Sequence, residues 1–474
     1  MGYQVNSCLI SRSAFEFTHI MTRKQYLATA CLGLILLLAG LAAFLPQDHP
    51  DAKPNAFNPA DLAWMLSASG LVLLMTPGLA FFYGGMVSKR NVISTMLQSF
   101  IALGVISMLW YVVGFSLAFG DSIGGVIGNP MTFFMFNHVG TAPHPRLATN
   151  LPLVLFAAFQ LKFAIITPAL ISGAFAERIR FWGYLLFMCL FSLLIYCPLA
   201  HWTWHPDGFL LKWGVLDFAG GTVVHISAGF AALAGALALG RRHSHLEGHT
   251  HVPPNVPFIL IGTGLLWFGW FGFNAGSALA ANTVAVQAFM TTHLASAAAM
   301  LTWMMIEAVR GQRPSAAGAA IGAVVGLVAI TPAAGYVNYG PALFIGVVSA
   351  AISAGAVDLK NRTTLDDTLD VFPCHGVGGI VGMIMTAIFA KEGGLITGSV
   401  TLLWHHLGAL AFISVFTFGG SYLLYKFTNL LIPIRVNAIH EAHGLDMSQH
   451  GETVLPIAEE VVRTENLQFV VKAS

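Results

Sequence analysis

The sequence predicts an all-α polytopic membrane protein, and three observations support this. The 474 residues are 56% hydrophobic and only 9% charged, and their mean hydropathy is +0.74. After Asp61, eleven apolar stretches are long enough for a hydrocarbon core, which takes about 20 helical residues. Basic residues concentrate in alternate connections between these stretches. Because backbone polar groups in hydrocarbon must pair internally, spans of this hydropathy are helices.

The chain divides into three parts by composition. Residues 1–57 form an N-terminal preamble, in which Arg23 and Lys24 precede an apolar run over 26–45. This pattern suits a cleaved secretory signal peptide, which we favour, and also an extra span. Residues 58–430 are the membrane domain, and 431–474 form a polar C-terminal tail. The predicted spans are 62–84, 92–119, 151–175, 181–200, 219–239, 257–280, 286–308, 315–334, 341–358, 371–390 and 400–425.

The distribution of basic residues predicts how the chain is oriented in the membrane. The connections after the first, third, fifth, seventh and ninth spans carry paired basic residues, whereas the opposite ones carry only Arg146, Lys212 and Lys391. By the positive-inside rule, the mature N-terminus lies outside the cytoplasmic (inner) membrane and the C-terminal tail is cytoplasmic. A net charge of +1 argues against a nucleic-acid partner. The five cysteines are scattered and contain no CxxC pair, so we expect neither a disulfide framework nor a metal site.

Two parts of the membrane domain repeat one spacing. Asp217 precedes His225 by eight residues, and Asp367 precedes His375 by the same eight. The tetrapeptide ITPA also occurs twice, at 166–169 and 330–333. The fifth span therefore corresponds to the tenth, and because five is odd, the two five-helix halves are inverted repeats, followed by a final helix. The pseudo-twofold axis of such repeats would bring His225 and His375 together.

These acids and histidines are the candidate functional residues. Ionisable side chains in hydrocarbon are costly and usually mark a substrate or proton route. Two neutral imidazoles side by side can bind a small polar solute or relay a proton, although two histidines that serve only packing are the alternative. We place Asp217 inside an apolar helix, where it could bind a cation directly or cap the start of the fifth span and orient the entrance backbone, and we favour the second role. Asp367, flanked by Asp366 and Asp370, is expected to be partly solvated and structural.

Six motifs in this order resemble the ammonium transporter family (Amt, Mep and Rh proteins), in particular its bacterial Amt type. They are FYGG, ITPALISGAFAERIRF, DFAGGTVVH, GWFGFNAGSA, ITPAAGY and HGVGGIVG, and the resemblance runs from about 62 to 452. It implies a homotrimer in membrane lipid with one pore per subunit, no cofactor and no enzymatic activity. An intramembrane histidine enzyme would need a pattern such as HExxH, which neither His225 nor His375 has on its own helix.

The resemblance also implies residue roles in ammonium uptake. Ammonium is recruited outside by Trp204, Phe163 and Ser277, with Asp217 behind them. Phe163 and Phe273 form a hydrophobic gate, which ammonium passes as neutral ammonia after losing a proton. The proton is then relayed by His225 and His375. A neutral gas channel of the Rh type, or an ammonium sensor on the same fold, is the alternative.

Three further features have no place in that pore. Lys162 stands where the family has a small or apolar residue, and we expect its charge to be paired away from the pore. The loop after the fifth span contains four histidines, at 243, 245, 249 and 251, which we interpret as a solvated loop. The tail motif HGLDMSQHGE at 443–452 resembles family members whose tail adjusts activity and near which the PII signal protein docks in bacteria.

Overall fold

The computed structural model describes residues 23–247 and 253–454. Its helices in chain order are α1 (Arg23–Phe44), α2 (Pro59–Met86), α3 (Val92–Phe119), α4 (Leu153–Phe175), α5 (Phe181–Lys212), α6 (Gly221–Leu239), α7 (Val256–Gly276), α8 (Thr283–Val309), α9 (Ala316–Ile330), α10 (Tyr339–Asn361), α11 (Phe372–Phe389), α12 (Thr401–Leu431) and α13 (Ala438–His443). One-turn helices occur at Phe134–Phe136, His243–Leu246, Leu395–Thr397 and Asp446–His450.

The connection between α3 and α4 contains two short hairpins. β1 (Ser122–Ile123) pairs antiparallel with β2 (Ile127–Gly128), and β3 (Pro143–His144) with β4 (Ala148–Pro152). In the same region the amide of His138 donates to the carbonyl of Asp48 at 2.7 Å. Residues around 48, which the sequence analysis grouped with the preamble, therefore pack against this connection.

The prediction of a helical, polytopic membrane protein is confirmed. Among the described residues, ten helices, α2–α8 and α10–α12, are long and apolar enough to cross a membrane. Helix α9 is apolar but has only 15 residues. Each predicted stretch overlaps one of the helices α2–α12, in the same order. Hydropathy is a local property of the sequence, so it locates spans even where their ends shift by several residues.

Helix α6 lies in the interior and packs against α4, α11 and α12. Its contact with α11 is close enough to require glycine. A Cβ atom added to Gly229 would lie 2.3 Å from the Cα of Gly376, which is shorter than any tolerable contact. Small residues allow helix backbones in membranes to approach in this way. This approach determines how near the histidines of the two helices can come.

Helices α6 and α11 share another local feature. Each opens with a π-helical turn, at Gly221–Ile226 in α6 and Phe372–Val377 in α11, and each turn contains one of the two candidate histidines. π-helical turns are rare and occur frequently at functional sites. The π-helical turn that α6 and α11 share agrees with the prediction, from the repeated Asp–His spacing, that the fifth and tenth spans correspond.

Candidate pore

Asp217 caps α6 from outside the helix. The prediction that it lies within the span is wrong, because α6 begins only at Gly221 and Gly220 before it has a left-handed φ of 111°. That turn folds the carboxylate back over the free amides of the first helical turn. Oδ1 accepts from the amides of Gly220 at 2.8 Å and Gly221 at 2.6 Å, while Oδ2 accepts from the amide of Thr222 at 2.7 Å and from its hydroxyl. The carboxylate thus supplies acceptors for backbone amides that have no partner within the helix.

Asp367 caps α11 in the same register. Its carboxylate accepts from the amides of Val371 at 3.1 Å and Phe372 at 2.7 Å, four and five residues ahead. The side chain is fully buried at 0% exposure, so the expectation of partial solvation is wrong. Burial, together with the neighbouring Asp370 carboxylate, raises the pKa of Asp367 to about 6. Lys360 shields the group by pairing with Asp370 at 2.7 Å.

A cavity of about 240 Å³ lies at one end of the bundle, lined by Trp204, Phe163, Ser277 and Gln160 among others. The rings of Phe163 and Trp204 meet edge to face with their centroids 5.7 Å apart. Ser277 donates its hydroxyl proton to the carbonyl of Phe273 at 2.8 Å, so its oxygen keeps lone pairs for a donor in the cavity. Aromatic faces and a hydroxyl acceptor are suited to a small cation that donates hydrogen bonds.

Asp217 is not one of the residues that line this cavity. It is linked to the cavity through its backbone, because the indole Nε1 of Trp204 donates to the carbonyl of Asp217 at 3.1 Å. The carboxylate is therefore a support for the site rather than a contact surface of it.

Phe163 and Phe273 close the inner side of the cavity. Their rings are stacked with centroids 4.2 Å apart, and both side chains are buried. The ring of His225 follows at 6.1 Å from that of Phe273. A hydrated ion would have to lose its water shell at such an apolar constriction, which is energetically costly.

Beyond the stacked rings, the structure brings His225 and His375 together. Their Nδ1 atoms are 3.3 Å apart, and both side chains are buried. On the other side, His375 lines a second cavity of about 930 Å³, whose wall includes Arg241, Arg242 and Asp366. The order from one cavity to the other is therefore aromatic site, stacked phenylalanines, paired histidines and polar cavity.

A family model described as the Ammonium Transporter Family matches residues 63–455. The chain belongs to this family. It is 44% identical over 406 residues to a putative ammonium transporter of Methanothermobacter thermautotrophicus, covering 84% of this chain and 98% of the relative. It is 42% identical over 400 residues to an ammonium transporter of Bacillus subtilis, covering 83% and 97%.

Solved structures agree with this assignment. The crystal structure of Saccharomyces cerevisiae Mep2 superimposes with a TM-score of 0.77 at 36% identity, covering 81% of this chain and 89% of that one. A structure described as a sensor Amt protein superimposes with a TM-score of 0.76 at 29% identity, covering 82% and 98%. The two relatives named above are described as an ammonium transporter and a putative ammonium transporter.

Three residues of this ammonium transporter family member lie at the candidate pore without a role predicted from sequence: Gln160, Trp270 and Thr331. Gln160 lines the outer cavity, and its Oε1 is buried without a hydrogen-bond partner among the described residues. The indole of Trp270 stacks on the His225 ring with centroids 5.4 Å apart, and its Nε1 donates to Thr331 Oγ1 at 2.9 Å. Trp270 and Thr331 belong to motifs quoted for the resemblance, but nothing in those motifs assigns them a contact with His225.

Lys162, on α4, is half-buried and lines neither of the two cavities. Its neighbour Phe163 points into the pore, about 100° away around the helix. Among the described residues Lys162 has neither an ion pair nor a hydrogen bond, so the expected charge pairing is not observed within the subunit. The expectation that Lys162 does not meet the substrate stays a prediction.

The C-terminal segment 435–452 packs on the connections between helices. Glu441 Oε1 accepts from the amide of His243 at 2.7 Å, and Arg435 Nη2 donates to Glu441 Oε2 at 2.8 Å. Asp446 accepts from the amides of Ile93 at 3.1 Å and Ser94 at 2.7 Å at the start of α3.

Only part of the histidine-rich loop lies within the described residues. Two of its histidines, His249 and His251, lie outside the described residues. Within 23–247 and 253–454, no group of three histidine, cysteine or acidic side chains is placed to hold a metal ion.

Proposed function

We propose that this protein takes up ammonium across the cytoplasmic membrane. Ammonium is recruited in the outer cavity by Trp204, Phe163 and Ser277, with Asp217 supporting the site through the backbone. The cation–π attraction of the aromatic faces favours a cation, and the hydroxyl of Ser277 favours one that donates a hydrogen bond. Potassium has nearly the same size as ammonium but has no proton to donate.

Selectivity then comes from deprotonation. Ammonium sheds its proton before the Phe163–Phe273 gate and crosses as neutral ammonia, whereas potassium would meet the full desolvation cost. The proton follows along His225 and His375, because each neutral ring offers one donor and one acceptor. The observation that carries this proposal is the 3.3 Å contact of the two Nδ1 atoms directly beyond the stacked phenylalanines.

We further propose eleven membrane spans, α2–α12, as two inverted five-helix repeats and a final helix. Helix α9 rises about 22 Å over its 15 residues, and the buried turn that follows it extends the crossing. With the basic connections inside, the mature N-terminus is outside and the tail is cytoplasmic.

The organisation beyond the subunit is also proposed. By likeness to its family, the protein is a homotrimer in lipid with one pore per subunit. Residues 1–57 form a signal peptide or extra helix, 58–430 the transporter domain and 431–474 the cytoplasmic tail. The tail contacts to the connection after α6 support a regulatory surface at this face, and in a bacterium PII would be its partner.

The proposal is tested by transient current on addition of ammonium to the purified protein in liposomes, with potassium as the ion control. We expect an ammonium-specific current that His225→Ala removes. The matched control is His293→Ala, because His293 is exposed and stacks on Trp267 away from the histidine pair. A current that survives in His225→Ala would overturn the relay.

A second candidate is a sensor or a neutral gas channel on the same fold. The likeness to a sensor Amt protein at a TM-score of 0.76 favours keeping the sensor interpretation. Internal alkalinisation by ammonia without any current would identify a neutral channel. Tight ammonium binding with neither current nor alkalinisation would identify a sensor.

A further inference from the structure

We infer that Thr331 is a positioning residue for the histidine pair and determines which nitrogen of each ring carries the proton. This inference rests on the proposed proton relay. Its starting point is that Thr331 Oγ1 has three neighbours: the carbonyl of Leu327 at 2.8 Å, Trp270 Nε1 at 2.9 Å and His225 Nε2 at 3.3 Å. A hydroxyl has one proton to donate and two lone pairs with which to accept.

Two of the three contacts can be made in only one direction. The carbonyl of Leu327 can only accept, so it takes the single proton of the Thr331 hydroxyl. The indole of Trp270 can only donate, so it occupies one lone pair of the oxygen. Because α9 ends at Ile330, the amide of Thr331 bonds to the carbonyl of Val328 instead of that of Leu327. The hydroxyl thus supplies the bond to Leu327 that the amide does not make.

The contact with His225 then has a fixed direction as well. One lone pair remains on Thr331 Oγ1, and only a protonated Nε2 of His225 can donate to it. In a neutral ring the other nitrogen, Nδ1, is then an acceptor. Since it faces His375 Nδ1 at 3.3 Å, His375 must donate from Nδ1 and keep Nε2 unprotonated. A single hydroxyl, on the residue that follows α9, therefore orders the tautomers of both rings.

These tautomers of His225 and His375 are the ones that result when one proton has been transferred inward. A proton that enters at His225 Nε2 shifts the bridging proton from His225 Nδ1 to His375 Nδ1, and the proton on His375 Nε2 departs. The number of protons on the pair is unchanged. Afterwards His225 carries its proton on Nε2, where Thr331 accepts it, and His375 Nε2 is free on the side of the inner cavity. Thr331 thus stabilises the state that follows delivery.

The first test is transport by the full chain in liposomes. Thr331→Val keeps the shape of the side chain but removes the acceptor, and we expect the saturating ammonium current to fall about tenfold, the effect of one buried hydrogen bond. The half-saturating ammonium concentration should not change, because the outer cavity is intact. Thr331→Ser should restore the current. Thr386→Val is the matched control, since Thr386 is equally buried and donates to the carbonyl of Gly382 at 2.8 Å.

The second test reads the tautomers directly and does not need transport. In solid-state nitrogen NMR of the histidine-labelled protein in bilayers, protonated and unprotonated ring nitrogens resonate far apart. We expect His225, identified by the signals lost in His225→Gln, to be protonated at Nε2 in the wild type and to lose this preference in Thr331→Val. A wild-type His225 that is unprotonated at Nε2 would overturn the inference even if the valine variant fails to fold. If the wild type shows no ammonium current but has the expected tautomers, the relay fails and the role of Thr331 stands.

Discussion

His225 and His375 are 150 residues apart in the chain, yet their Nδ1 atoms lie 3.3 Å from each other. The close approach of α6 and α11 at Gly229 and Gly376 makes this possible. The pair lies between the stacked rings of Phe163 and Phe273 and the cavity that His375 lines. Under the proposed function, the chemistry of the pair rather than the pore diameter decides what crosses.

Replacing one histidine by an acid is expected to weaken discrimination against potassium. In His225→Asp or His375→Glu the anionic side chain offers a cation a site that two neutral rings do not. A potassium current absent from the wild type should appear in liposomes. His293→Gln serves as the control, and full discrimination in both acidic variants would remove the relay hypothesis.

Trp204→Leu is expected to raise the half-saturating ammonium concentration about 5- to 30-fold, because a partly desolvated cation–π contact contributes about 1–2 kcal/mol. The maximal current should change much less. Trp204→Phe keeps an aromatic face but loses the bond from Nε1 to Asp217, so it separates the two contributions. Equal half-saturation in wild type and Trp204→Leu would contradict the assignment of the outer cavity.

Asp217→Ala is expected to abolish transport while the protein still inserts. The change leaves the amides of Gly220, Gly221 and Thr222 without their acceptor, and each buried unpaired donor costs about 1–3 kcal/mol. Thermal unfolding in detergent measures the loss of stability. Asp367→Ala is the matched comparison on α11, where we expect a similar loss of stability but an unchanged ammonium affinity. An active Asp217→Ala protein would show that the entrance is misplaced.

The inner face contains a buried ion triad that we expect to be structurally essential. Arg242 pairs with Glu177 at 2.8 Å and with Asp366 at 2.9 Å, and all three are buried. Arg242→Met leaves two buried carboxylates uncompensated and should lower the unfolding free energy by about 3–5 kcal/mol. Arg310→Met, which breaks a half-exposed pair with Asp358, should lower it by less than about 1 kcal/mol. Similar melting temperatures for the two variants would contradict this.

Protonation of Asp446 should strengthen docking of the tail as the pH falls. Burial raises the pKa of Asp446 to about 6, and Glu452 adds to the shift. An undocked tail would have the ordinary carboxyl value of 3.8, so the docked form binds the proton more tightly. By linkage, docking is favoured progressively from about pH 6 down to about pH 4 and is weaker at neutral pH. Arg90 and His450 also belong to this contact, and burial lowers the pKa of His450, which by the same linkage opposes docking in acid.

A fluorescent probe on the exposed residue 451 can follow tail docking across this range. Asp446→Asn keeps an acceptor but cannot ionise, so it should dock more strongly than the wild type at neutral pH and keep only the pH dependence that His450 contributes. The control is Glu247→Gln, a change outside this contact. Equal pH dependence of the probe signal in the wild type and in Asp446→Asn would contradict the expected linkage.

The sequence by itself determined the class of the fold, the order of its spans and the pairing of His225 with His375. Hydropathy and the spacing of an acid before a histidine are local patterns, and repetition of such a pattern in two halves implies a symmetry that brings the copies together. These features need no knowledge of packing.

The tertiary structure alone decided the details of the caps and the wall of the pore. Asp217 lies outside α6 because of the left-handed turn at Gly220, and Asp367 is buried because Arg242 and Lys360 take up the charge of its neighbours. The contact of Thr331 with His225 joins the end of α9 to α6. The spacing of residues along one helix does not predict which side chains of two different helices come into contact. Such contacts depend on crossing angles and helix ends, which are set by packing of the whole bundle.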